Sequence, residues 1–262
     1  MDERIAQCVN ILAKFCGERD VPELTAANLQ KRIGSERADV MVLFGGSIPA
    51  GAEVFAKAMQ DAVAKKYVIV GGAGHTTDTL RQKMQAVLPG VDTKAMTEAE
   101  IFAAFLKLKY GLVPDLLECK STNCGNNITY LLELLRENGI EFENIILTQD
   151  STMQRRMDAG LRKYAPKVNI INFAAYSAKV KAEVDSLIFT EDIWGMWDME
   201  RYISLLMGEI PRLSDNTDGY GPMGKDFIAH VDISEEVMKA FENLKADYRE
   251  LIRDANPLFA GK

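Results

Sequence analysis

A chain of 262 residues, 47% hydrophobic and 26% charged, can bury one large core or two modest ones. Its net charge of -7 argues against nucleic acid or an anionic membrane surface as the main partner, while leaving room for local basic pockets. Four cysteines without a C-x-x-C pair and two histidines argue against a zinc site and suit a reducing cytoplasm.

Residues 2–15 place Ile5, Cys8, Val9, Leu12 and Phe15 at helical spacing, which predicts an amphipathic helix rather than a signal peptide. No apolar run approaches the length of a membrane span, so a cytoplasmic protein without a membrane anchor is expected. A second helix is predicted over 23–32, ending at Gly34. The continuous apolar run 39–44 predicts a central parallel strand covered on both faces. Gly45-Gly46-Ser47 ends it, and a helix follows over about 52–65. A second strand at 67–70 ends in Gly71-Gly72-Ala73-Gly74-His75, before a helix over 78–86. Thr97-Glu98-Ala99-Glu100 is a capping-box signature for a helix running to Tyr110. A short strand at 116–119 precedes Ser121-Thr122-Asn123, which caps a helix carrying Ile128, Leu131 and Leu135. A fourth strand at 144–149 feeds a helix reaching Tyr164, and a fifth strand covers 168–172.

Strands alternating with helices of this length predict right-handed βαβ units and an α/β fold with a doubly wound parallel sheet. After residue 180 the pattern changes to helical segments near 180–189 and 198–207, a Gly- and Asp-rich loop at 211–224, and a last helix over about 234–254. The expected organisation is an N-terminal helical addition (1–35), an α/β ligand-binding domain (36–180) and a C-terminal helical region (181–262) packed on it.

Ligands of open α/β sheets sit beyond the carboxyl ends of the strands. Here those ends carry Gly45, Gly46 and Ser47; Gly71, Gly72 and His75; Thr122 and Asn123; and Gln149, Asp150, Ser151 and Thr152. All are small or polar, so a crevice for a small molecule is predicted, although glycines also serve simply to turn a strand into a helix. Standard nucleotide signatures are missing. The first loop is not G-x-G-x-x-G, no acid follows the second strand to hold a ribose, and no G-x-x-x-x-G-K-[ST] occurs.

Arg155 and Arg156 occupy the first turn of their helix, where the dipole disfavours cations, and at least one is expected to face the crevice and hold an anion. Arg155 is taken for that role, with the choice between the two left open. Ser151 with Gln154 reads equally as a capping box. Glu98 either complements its helix terminus or points inward as a general base, and Asp150 is the second candidate base. Asn127 is a loop clamp or a ligand contact, and His75 is an exposed loop residue or an acid–base group. Cys124, with no histidine near in sequence, is not assigned as a nucleophile. Trp194, Trp197 and the Leu205-Leu206-Met207 group read as core or as an oligomer face.

The motifs Ser121-Thr122-Asn123-Cys124-Gly125, Gln149-Asp150-Ser151-Thr152-Met153-Gln154-Arg155-Arg156 and Glu200-Arg201-Tyr202-Ile203-Ser204-Leu205-Leu206 resemble the YdcF branch of the bacterial SanA/YdcF family. So do Asp218-Gly219-Tyr220-Gly221-Pro222, Asp226-Phe227-Ile228 and His230-Val231-Asp232. The likeness runs from the first strand through the C-terminal helices. It departs from the family at Thr152-Met153-Gln154-Arg155-Arg156, where His-Met-x-Arg-Ala is usual. The resemblance implies a Rossmann-like fold similar to nucleotide-utilising enzymes and a capacity to bind S-adenosylmethionine, without fixing a reaction. The expectation is therefore a nucleotide-like anionic ligand, turned over by an enzyme or held by a non-catalytic sensing or partner-binding module.

Overall fold

In the computed structural model, which describes residues 3–74 and 76–251, five strands form one all-parallel sheet. They are β1 (Ala38–Phe44), β2 (Ala64–Val70), β3 (Leu116–Glu118), β4 (Asn144–Thr148) and β5 (Asn169–Asn172), in the order β3-β2-β1-β4-β5. The chain builds outward from β1 to β3, then returns to pair β4 with β1, with Val40 opposite both Lys66 and Ile145. Strand order therefore reverses between β1 and β4, the place where doubly wound sheets bind ligands. This is the α/β, Rossmann-like arrangement expected from the alternating pattern.

Side chains of β1 alternate between two cores, which is why its apolar run is unbroken. Met41 and Leu43 pack with α3 (Ala50–Gln60), α4 (Thr77–Gln85) and α5 (Glu98–Tyr110), through Phe55, Leu80, Phe102 and Phe105. Val40, Val42 and Phe44 pack with α6 (Cys124–Glu137) and α7 (Gln154–Tyr164), through Ile128, Leu131, Met157 and Leu161. Each such fully buried side chain contributes about 1.5–3 kcal/mol by leaving water.

A third cluster joins the two ends of the chain. α1 (Glu3–Cys16) packs against α8 (Met199–Leu213) and α9 (Glu235–Asp247), with Leu12, Tyr202, Leu206 and Phe241 at its centre. α2 (Ala26–Ile33) is capped by Thr25 and ends at Gly34 in the left-handed conformation. Its Leu29 joins the first core.

Two expected helices are corrected. The helix expected near 180–189 is instead an antiparallel ribbon of β6 (Val180–Ala182) and β7 (Leu187–Phe189). Its position is fixed non-locally: the Asn10 amide donates to the Val180 carbonyl and accepts from the Val180 N–H, both at 2.8 Å. The helix expected over 52–65 stops at Gln60, Ala62 turns with φ 52, and β2 begins at Ala64 beside Ala38. No glycine or proline marks that stop; pairing with β1 overrides the helical propensity of the Ala–Lys run. The last helix ends at Asp247, followed by a short 3-10 turn (Arg249–Leu251), and the remainder of its expected span lies outside the described residues. Among the described residues no helix is long and apolar enough to cross a membrane.

Candidate functional site

The carboxyl ends of β1, β2 and β4 open on a cavity of about 220 Å³. Gly45, Gly46 and Ser47 line it from the turn after β1, and Gly72 and Gly74 from the turn after β2. Thr122, Asn123 and Asn127 come from the start of α6, Gln149, Asp150 and Thr152 from the turn after β4, and Glu98 from the start of α5. Of the expected site residues, Gly71 and Arg155 do not line the cavity, and His75 lies outside the described residues.

Most of the glycines serve contact between loops rather than a ligand. A Cβ on Gly72 would overlap the Ser121 carbonyl, and one on Gly45 would press on the Glu98 side chain and on Gly71. A Cβ added at Gly71 would in turn lie 3.0 Å from the Gly45 Cα. Only Gly46 and Gly74 are spared a backbone clash, their nearest neighbours being Gln149 Oε1 at 3.3 Å and the Thr122 carbonyl at 3.6 Å.

Glu98 is placed by its helix terminus. Thr97 and Glu100 form the capping box, and the N–H groups of Glu98 and Ala99 donate to the carbonyls of Gly72 and Gly71 at 2.9 and 2.8 Å. This bolts the start of α5 onto the glycine turn and buries Glu98, which is 8% exposed. Thr77 Oγ1 donates to its Oε1 at 2.8 Å while accepting from the Gly74 N–H at 2.7 Å. Burial pushes the Glu98 carboxyl above the ordinary carboxylate range, against the opposing pull of the Thr77 hydroxyl and Arg81. A buried carboxyl displaced in this direction on a cavity wall is suited to moving protons.

Asp150 is tied down instead. Its Oδ1 accepts from the Thr152 N–H (2.9 Å), the Thr152 hydroxyl (2.8 Å) and the Tyr176 hydroxyl (2.7 Å), and its Oδ2 accepts from Trp197 Nε1 at 3.3 Å. Three donors crowd the two lone pairs of Oδ1, while Oδ2 takes a single donor. Asp150 and Thr152 thus shape the turn that presents Gln149 to the cavity.

The two arginines of α7 diverge. Arg155 turns back to α1: its Nε donates to the Phe15 carbonyl at 2.5 Å, its guanidinium lies 4.4 Å from the Phe15 ring centroid, and it pairs with Glu18 at 3.2 Å. The expectation that Arg155 holds the ligand is therefore corrected; α1, whose placement no local pattern gives, claims it. Arg156 lines the cavity and pairs with Glu209 of α8 through two contacts, Nε–Oε2 at 2.6 Å and Nη2–Oε1 at 2.9 Å. Burial opposes its charge, but the paired Glu209 carboxylate outweighs burial and holds it cationic. Burial likewise pushes the Cys124 thiol up, away from nucleophilic character. Ser151 and Gln154 form no capping box. Met153 is the N-cap of α7 without a side-chain bond, and Gln154 reaches under the sheet to the Leu147 carbonyl and Asn172.

The side of the cavity opposite the sheet comes from residues to which the sequence reading gave no ligand role, Leu205 and Trp197 being read as core or as an oligomer face. Arg201, Ser204, Leu205, Glu209 and Arg212 share one stripe of α8, and Tyr220 follows on the next loop. Their three- and four-residue spacing is a helix face, and Glu209 amid Leu205, Leu206, Met207 and Ile210 was a readable sign that this face meets something polar. Trp197 lines the cavity, with Lys83 and Arg201 at 4.8 and 5.5 Å from its ring centroid, as well as bonding Asp150. Lys83 holds two loops together through the carbonyls of Ser47 and Gly195, and burial lowers its pKa.

A scan against protein-family models found none that matches the chain.

Proposed function

We propose that this protein is an enzyme acting on a small phosphorylated, nucleotide-like substrate, with Arg156 at the anion and Glu98 as the group that moves a proton. The observation that carries this reading is the charge of the cavity wall. Among the described residues, Arg156, Arg201 and Arg212 line it against Glu98, Asp150 and Glu209. Burial raises the pKa of the Glu98 carboxyl, and the three arginines are the positive charge that an anionic group would meet at this wall. The start of α7, without a side-chain cap, adds a helix dipole of the same sign. Glu98 serves catalysis because a carboxyl displaced upward is both a stronger base and an acid closer to neutral pH. Asp150, the other expected base, is given a positioning role because Thr152, Tyr176 and Trp197 hold its carboxylate in place.

The likeness to the YdcF branch of the SanA/YdcF family supports a nucleotide-like ligand, but S-adenosylmethionine suits these residues less well. Its sulfonium is a cation that calls for a carboxylate, and of the wall's acids Glu209 is committed to Arg156 and Asp150 to its donors.

Titration calorimetry with a panel of nucleotides and sugar phosphates, followed by product analysis after long incubation, tests the reading. Binding that Arg156→Lys weakens, with product formation that Glu98→Gln abolishes, is expected. Binding untouched by Arg156→Lys would refute the anion site. Binding without any product would leave a sensing module.

A further inference from the structure

A second hollow, of about 90 Å³, opens beside the cavity between α6, α7 and the loop after α8. The two share Asn123, Cys124, Arg156 and Tyr220, so Arg156 stands at their junction. Beyond the junction the walls become apolar and aromatic: Ile128, Gly160, Tyr164, Phe227 and Ile228. Tyr220 and Phe227 meet edge to face, with ring centroids 5.3 Å apart.

Gly160 separates a built hollow from a packing fault. It lies inside α7, where glycine weakens a helix relative to alanine. Its φ is not positive, and an added Cβ would meet only Ile128 Cγ1, at an ordinary 3.4 Å. Backbone conformation and packing therefore do not require glycine here, and the missing side chain keeps the hollow open. The opposite wall is preformed. In the loop after α8, Gly219, Gly221 and Gly224 leave no room for a Cβ, and the Ala229 N–H anchors the segment to the Ala159 carbonyl of α7 at 2.9 Å.

Resting on the anion-site reading above, we propose that the ligand has two parts: a phosphate held at Arg156 and a planar aromatic group seated in the hollow against Tyr220 and Phe227. Continuity of the two spaces through Arg156 fixes the order, anion in the main cavity and ring beyond it. Flat aromatic walls favour a ring over a flexible chain, because rings stack at 4.5–7 Å centroid distances with little entropy to lose.

The experiment compares 1-naphthyl phosphate with inorganic phosphate by titration calorimetry on the full chain. Wild type should bind the naphthyl ester at least about tenfold more tightly than phosphate, and Gly160→Ala should weaken the ester about tenfold, the usual effect of one added methyl in a fitted pocket. Phosphate affinity should stay unchanged, and the melting temperature should rise because alanine favours the helix. Phe227→Ala, at a position 37% exposed, is a second variant that should weaken the ester alone. If both variants leave ester binding intact while Arg156→Lys weakens phosphate, the aromatic subsite is refuted and the anion site stands. If neither probe binds, or Arg156→Lys changes neither, the anion site fails and the proposal fails with it.

Discussion

Arg156 of α7 and Glu209 of α8, 53 positions apart, form a two-point ion pair in which the side chains are only 14% and 6% exposed. The pair joins the parallel-sheet half of the molecule to the C-terminal helices at the wall of the cavity. Its charges are sheltered from water, so removing one partner strands the other. Glu209→Ala should cost about 3–5 kcal/mol, whereas Arg156→Met combined with Glu209→Leu should recover most of that loss. Urea denaturation of the two variants measures the difference. A loss below about 1 kcal/mol in Glu209→Ala would mean that the pair is solvated and contributes little.

The arginines also show how far the sequence reached. Their unfavourable place at a helix start was legible as a sign of function, because the dipole rule is local. Which of them met the cavity was not legible, since Phe15 and Glu18 on one side and Glu209 on the other come from distant segments. The doubly wound sheet was readable for the opposite reason: each strand and helix carries its own period and its own caps, as at Thr97 and Asn123. The ribbon at 180–189 was lost because its register depends on Asn10.

Glu98 yields a prediction with a defined sign. Its folded pKa lies above the ordinary value of 4.5, so the folded state binds the proton more tightly than the unfolded chain does. The stability this provides is complete below 4.5 and is lost as pH rises through the raised folded value. Glu98→Gln keeps an oxygen for the Thr77 hydroxyl but has no proton to lose. The variant should therefore gain stability relative to wild type as pH rises, while losing turnover. Thermal melts across that range decide the point; parallel pH curves for the two proteins would show that the carboxyl is solvated.

Tyr202 is fully buried in α8, and its hydroxyl has no hydrogen-bond partner among the described residues. Burial, with Cys16 and Asp150 nearby, pushes its pKa well up and keeps it neutral. A buried hydroxyl without a partner costs about 1–3 kcal/mol in desolvation. Tyr202→Phe removes that cost and retains the ring contact with Phe189 at 5.3 Å. The variant should be at least as stable as wild type in urea. A loss of more than about 1 kcal/mol would reveal an ordered partner for the hydroxyl.

The loop that carries Tyr220 to the cavity is fastened by a charged contact that titrates. His230 Nδ1 lies 2.6 Å from Asp215 Oδ2, and Nε2 lies 3.1 Å from Asp232 Oδ1. Asp215 also accepts the Met223 N–H at 2.7 Å, so one carboxylate gathers both ends of the loop. The bond to Asp215, then that to Asp232, raises the His230 pKa above 6.5. The Met223 N–H, then His230, lowers that of Asp215 below 3.8. The histidine's contribution is complete below 6.5 and disappears as pH climbs through its raised value. The aspartate's contribution is present above 3.8 and disappears as pH falls through its lowered value. The loop should be held most firmly between those limits. Amide exchange at Met223, corrected for the intrinsic pH dependence of exchange, should show protection declining above that window in wild type. His230→Gln should flatten the decline. An unchanged profile in His230→Gln would assign the pH response to another group and free the loop from this contact.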